Sequence, residues 1–134
     1  MNTIGTPVKR IATQTLLSTL WIVVVINMLK ADILSLYIPG SAEELARTAG
    51  DTPIPLLMLG GAIMMQVSTL MILFSRVLAY RLNRWVNIVT SIITIAFIVG
   101  GAASYPHYLF LATVEVVCLL LIVWFAWQWR NLEA

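Results

Sequence analysis

Apolar residues fill four long blocks of this chain, and polar residues mark where each block begins and ends. At 1.5 Å per residue an α-helix needs about 20 residues to cross a hydrocarbon layer roughly 30 Å thick. Four segments reach that length: Ile11 to Leu36, Ile54 to Ser75, Trp85 to Ala103 and Tyr108 to Trp129. Ile38-Pro39-Gly40 stops the first, because the residue before proline is driven out of the α region and glycine turns freely. Pro53 and Pro55 open the second, where a missing N–H is not needed. Arg76, Arg81 and Arg84 interrupt the apolar run between the second and third, in "SRVLAYRLNRW", and "GGAASYP" separates the third from the fourth. The predicted fold class is therefore all-α: an integral membrane four-helix bundle, forming one transmembrane domain over residues 1–134.

Composition agrees. Sixty per cent of the 134 residues are hydrophobic and 10% are charged, where a soluble domain carries about 25% charged residues. Lipid accepts an apolar exterior that water would not. The N-terminal "MNTIGTPVKR" precedes its apolar block as a signal peptide would, but the block runs too long and lacks a small-residue cleavage pattern, so a retained span is expected. The single cysteine, Cys118, excludes an internal disulfide or a Cys-x-x-Cys relay, and among Val and Leu it reads as a small hydrophobe.

Lysine and arginine positions set the expected direction. Lys9, Arg10, Arg76, Arg81, Arg84 and Arg130 fall on one side of the zigzag, Lys30 and Arg47 on the other. That imbalance places both termini and the short "SRVLAYRLNRW" loop in the cytoplasm. Tyr80, Trp85, Trp127 and Trp129 mark the inner edge, and Tyr37, Tyr105 and Tyr108 the outer one. Trp21 lies well inside its span and is expected to pack on a helix or a lipid tail. The net charge of +2 calls for no nucleic-acid partner. In the external "PGSAEELARTAGDTP", Ser41 and Glu44 form a capping-box pattern, residues 42–48 favour helix and Gly50 suits the position past its end. A short helix across the outer mouth and a plain solvated connector are both open readings.

Helical spacing gathers polar residues onto faces. Asn83, Asn87, Thr90, Ser91 and Thr94 share one on the third span; Thr15, Ser18, Thr19, Asn27 and Lys30 fall on the first. On the second, Gly60, Gly61 and Ala62 would allow close backbone approach, followed by Gln66 and Thr69. Such residues ordinarily join membrane helices. Glu115 differs. An acidic residue deep in a span costs about 2.5 to 3.5 kcal/mol on insertion scales. It lies roughly 10 Å in from Tyr108, a depth like that of Asn27 counted from Leu34, so the two could meet if the first and fourth spans are neighbours. Removal from water favours the uncharged acid, which donates one hydrogen bond and accepts others. Asp32 falls about 140° around the helix from Asn27. For Lys30 and Asp32, reaching out to headgroups competes with a binding role.

"NMLKADILSL", "SRVLAYRLNRWVNI" and "VEVVCLLLIVWFAWQW" resemble an uncharacterised family of small four-span bacterial membrane proteins, over nearly the whole chain. The resemblance implies a fold and no established chemistry; Asn27, Asp32, Arg76, Arg81, Asn83, Arg84, Trp85, Asn87 and Glu115 match its motif. Gln66 departs from it, standing where a carboxylate is expected, which removes support for a two-carboxylate mechanism. In its span count and a Gly-rich second span followed by an arginine, the architecture is also similar to DoxX-like four-span proteins, some of which are accessory subunits of oxidoreductase systems.

The expected ligand-binding set is Glu115, Asn27, Tyr108, Asp32, Gln66 and Thr94, in an outward-facing pocket for a small apolar or cationic molecule or a lipid. Arg76, Arg81 and Arg84 would meet anionic headgroups or serve only as topology markers. His107 has no second ligand at metal-binding spacing, so neither a metal nor another cofactor is expected. Membrane lipids are the expected partners, with a homo-oligomer or a larger membrane complex as further partners. One copy shows no inverted repeat, so transport would need an oligomer. The alternative is a non-catalytic accessory or assembly subunit. Enzyme activity is the least favoured reading, because a lone buried acid with amides lacks an electrophile or a nucleophile.

Overall fold

The computed structural model describes residues 12–101 and 105–130. Lys9, Arg10, Ile11 and Ala103, which figure in the expected orientation and span limits, lie outside them. Among the described residues five helices follow one another: α1 (Thr13–Ser35), α2 (Ser41–Ala49), α3 (Ile54–Val77), α4 (Tyr80–Gly100) and α5 (Pro106–Gln128). Four of them, α1, α3, α4 and α5, are long and apolar enough to cross a membrane, so this is a multi-pass membrane protein. α1 packs against both α3 and α5, α5 also against α4, and the α3–α4 contact is the lightest of the four. Hydrogen bonds fix antiparallel neighbours. The start of α1 meets the end of α3 through Ser18 Oγ, which donates to Ile72 O at 2.8 Å. The end of α1 meets the start of α5 through Ser35 and His107.

The arginine-bearing stretch is mostly helix rather than loop. Only Leu78 and Ala79 connect α3 to α4, both extended, so the third span begins at Tyr80, ahead of the expected Trp85. The ends of helices leave carbonyls without intrahelical partners, and side chains of this stretch supply them. Asn83 Nδ2 donates to Ser75 O and Leu78 O. Arg84 donates through Nε to Ala126 O at 3.0 Å and through Nη2 to Trp127 O at 2.9 Å, closing the end of α5. Arg76 Nε donates to Ser18 Oγ. Arg76 and Arg84 thus bind the protein itself, although Arg76, like Arg81, is exposed.

Trp21 is fully buried and finds a helix partner. Its indole Nε1 donates to Asn87 Oδ1 at 2.8 Å. The same oxygen accepts from Ser75 Oγ, and Asn87 Nδ2 donates to Asn83 O and Asn83 Oδ1. An amide offers two donor and two acceptor positions, and all four are filled here, joining α1, α3 and α4. Around this hub lies the apolar core, which includes Leu17, Val24, Met28, Met71, Leu119 and Ile122.

Two local expectations fail. Gly40, at φ 83°, begins α2, so Ser41 is already helical and makes no capping bond; the Glu44 carboxylate instead accepts from the Tyr105 hydroxyl. Gly60 and Gly61 have no neighbouring atoms within 4 Å of where a side chain would start, so no helix approaches them closely within one copy. Gly50 does take a positive φ, 59°, just past α2.

At the α2 end, Tyr105 stacks on His107 with centroids 5.8 Å apart. Ser35 gives its hydroxyl proton to Ala31 O, so His107 Nε2 donates to Ser35 Oγ. The hydrogen bond to Glu44 raises the Tyr105 hydroxyl above its ordinary value of 10.0. A raised value means the tether holds fully below that ordinary value and is lost as pH rises through the higher one. We expect Tyr105→Phe to increase trypsin cleavage after Arg47 several-fold in detergent. Cleavage unchanged from the parent protein would show that α2 is held by other contacts.

At the hub, Asn87→Leu leaves the Trp21 indole and the Ser75 hydroxyl without their acceptor and should destabilise the bundle by about 2 to 4 kcal/mol, measured by denaturant unfolding in micelles. Trp21→Phe removes one interhelical bond and should cost about 0.6 to 1.7 kcal/mol. The double variant should lose less than the sum of the two; strict additivity would mean that the two side chains act separately.

Candidate functional site

Helix register places one buried polar residue from each span at the same depth. Ser35 and His107 touch across α1 and α5. Asn27 lies eight residues back from Ser35 and Glu115 eight residues on from His107, so both sit about 12 Å from that contact. From the Asn87 hub, Asn27 is six residues beyond Trp21, Thr94 seven beyond Asn87 and Ser68 seven before Ser75. These separations correspond to about 9 to 10 Å along each helix. Asn27, Ser68, Thr94 and Glu115 therefore form one layer, with Ser91 one turn nearer the hub.

All five are buried, Glu115 to 3% exposure. Their hydrogen bonding differs from that of the hub. Asn27 Nδ2 donates to Val23 O and Thr94 Oγ1 to Thr90 O, each within its own helix. Ser68 Oγ, Ser91 Oγ and Glu115 Oε1 have no hydrogen-bond partner. A buried polar atom left in that state costs about 1 to 3 kcal/mol, and more when charged. Such atoms in a native structure call for an explanation in function, bound water or an ion. The layer offers oxygen atoms from a carboxyl group and two hydroxyls, a set suited to hydrogen-bond donors and cations rather than anions.

The six expected ligand-binding residues divide. Asn27, Thr94 and Glu115 come together at one depth. Tyr108 is half-buried, nearer the α2 end. Asp32 is exposed while Asn27 is buried, as their angular separation on α1 requires. Gln66 is exposed. Two residues separate it from Ser68, which is about 200° around the helix, so Gln66 faces away from the layer. Ser68 was not among the expected residues. Its signal was the spacing Ser68, Met71, Ser75, the three positions at which α3 is buried.

Surface crevices lie elsewhere. One of about 650 Å³ is bordered by Arg84, Trp124, Trp127, Trp129 and Arg130, near the α3–α4 connection. Another of about 300 Å³ is bordered by Ile98, Val99, Leu109, Ala112, Val116 and Val117, on the α4–α5 side. Neither is lined by Glu115 or Asn27. Among the described residues, no three His, Cys, Asp or Glu side chains are grouped to hold a metal ion.

Residues 9–134 match a family of unknown function (DUF6326), and the chain belongs to that family. No curated protein matches it, and no solved structure does.

If Glu115 were retained as a structural hydrogen bond, replacing it would weaken the bundle. Because Oε1 bonds nothing, we expect Glu115→Met to unfold within about 1 kcal/mol of the parent, or up to about 2 kcal/mol later. A loss above about 2 kcal/mol in micelle unfolding would assign the carboxyl to holding the fold.

Proposed function

We propose that this member of a family of unknown function binds a small apolar or cationic molecule, or a lipid, in the membrane-embedded layer around Glu115 and Asn27. One observation carries the reading: a carboxyl oxygen on α5, buried where α5 packs against α1 and α4 and at a depth where each span supplies a polar side chain, bonds nothing in the protein. Ionisable residues inside a membrane domain are expensive and usually mark a pathway or a ligand. Acceptor oxygens favour a cation or an N–H donor.

The resemblance to small four-span bacterial membrane proteins suggests the bacterial cytoplasmic (inner) membrane, and the lysine and arginine bias supports both termini inside and α2 outside. In that orientation the layer lies in the outer half of the bundle, nine residues or about 13 Å along α5 from Pro106. Access would then run past Tyr108 and Asp32, beneath α2. Movement of a ligand across the membrane would need an oligomer. A second reading, an accessory subunit of a larger membrane complex as some DoxX-like proteins are, draws support from the exposure of α3, which buries only Ser68, Met71 and Ser75.

The test uses tetraphenylphosphonium, an apolar cation, with the protein reconstituted in vesicles. Binding should weaken as the carboxyl is protonated on lowering pH, and Glu115→Gln should reduce affinity about tenfold and abolish the pH dependence. Affinity and pH profile identical to those of the parent would remove Glu115 from the binding site. An accessory subunit would tolerate Glu115→Gln and co-purify with its complex.

A further inference from the structure

α3 is the span least covered by its own chain. It buries three residues, Ser68, Met71 and Ser75, against seven each in α1 and α4 and six in α5. The uncovered side carries Leu59, Ile63, Val67, Leu70 and Leu73, which suit lipid. It also carries Gln66, which does not.

Gln66 lies twelve residues from Ile54 and eleven from Val77, at the midpoint of the helix. Each end is therefore about 17 Å away, beyond the reach of its side chain, so the amide cannot extend to water or headgroups. It is exposed on the outside of the bundle. Thr69, a neighbour on that side, resolves its own polarity by donating to Met65 O; a primary amide, with two donors and two acceptor positions, cannot do so by one such bond. Hydrocarbon supplies neither donor nor acceptor.

We propose that α3 is the interface with a second copy of this chain, and that the two Gln66 side chains pair across it. Two copies inserted in the same direction are related by a two-fold axis along the membrane normal, which places identical residues at identical depth. Gln66 of one copy then meets Gln66 of the other at mid-membrane. A carboxamide is complementary to itself, since each group donates N–H to the oxygen of the other. The flanking residues on this side carry no charge, so two copies meet without repulsion. Ala62, four residues earlier on the same side, is small enough for the helices to approach. This interface is independent of the role proposed for Glu115.

Two measurements test it in full-length protein. In a Cys118→Ala background, single cysteines at Ala62, Gln66 or Leu73 should form oxidative cross-links between copies in native membranes. Cysteines at the lipid-facing Ile92 of α4 or Leu120 of α5 should not. In vesicles, energy transfer between labelled copies should report a dimer that dissociates on lipid dilution, and Gln66→Leu should raise the dissociation constant about 3- to 20-fold. Leu suits the lipid-facing side, so loss of folding will not obscure the result. The proposal is overturned by a monomer at every lipid ratio, by cross-links through Ile92 or Leu120, by cross-links to a protein of different mass, or by a dimer indifferent to Gln66→Leu.

Discussion

Hydrocarbon cannot hydrogen-bond, so every polar atom carried into a membrane must find its partner in protein or remain unsatisfied. The spans of this chain meet that constraint in two ways at two depths. At the Asn87 hub, one amide is saturated by groups from α1, α3 and α4, and each bond crosses between helices or joins adjacent turns. One layer away, Asn27 and Thr94 turn to their own backbones, while Ser68, Ser91 and Glu115 keep oxygen atoms free. The first arrangement specifies how the helices pack. The second carries an energetic penalty in a protein whose stability is a small difference between large opposing contributions.

The arginines show the same constraint at the membrane edge. Their positive charge is visible in the sequence and marks a side. Their hydrogen bonds are visible only in three dimensions, where Arg84 closes the carbonyls of α5 and Arg76 joins α3 to α1 through Ser18. Arg84 also lies over the Trp85 and Trp127 rings, at 5.8 and 5.4 Å from their centroids, an arrangement in which cation and ring attract. Arg84 therefore holds the end of α5 against α4 through both its hydrogen bonds and its contacts with these rings.

Much of the fold was legible in the sequence because hydropathy over some 20 residues leaves few alternatives. The polar face of α4 was legible too: Asn83, Asn87, Thr90, Ser91 and Thr94 are all buried. Partners were not legible, since they depend on which helices adjoin. Trp21 looked misplaced until Asn87 was brought beside it. On α3, polarity misled: Gln66 drew attention as the most polar residue in the middle of the span, yet the less polar Ser68 and Ser75 face inward, and periodicity with Met71 was the better guide. The capping pattern at Ser41 failed because Gly40 adopts a left-handed conformation and starts the helix one residue sooner. Glu115 stood out by residue type alone, and its enclosure followed from the close packing of α1 with α5.

The central claim is that the carboxyl of Glu115 is shielded from lipid and left available by the protein around it. A high-resolution structure in a lipid bilayer tests this most directly. We expect ordered non-protein density within hydrogen-bonding distance of Glu115 Oε1 and of the Ser68 or Ser91 hydroxyl. A Glu115 side chain pointing into acyl chains, or paired with another side chain such as Asn27, would contradict it.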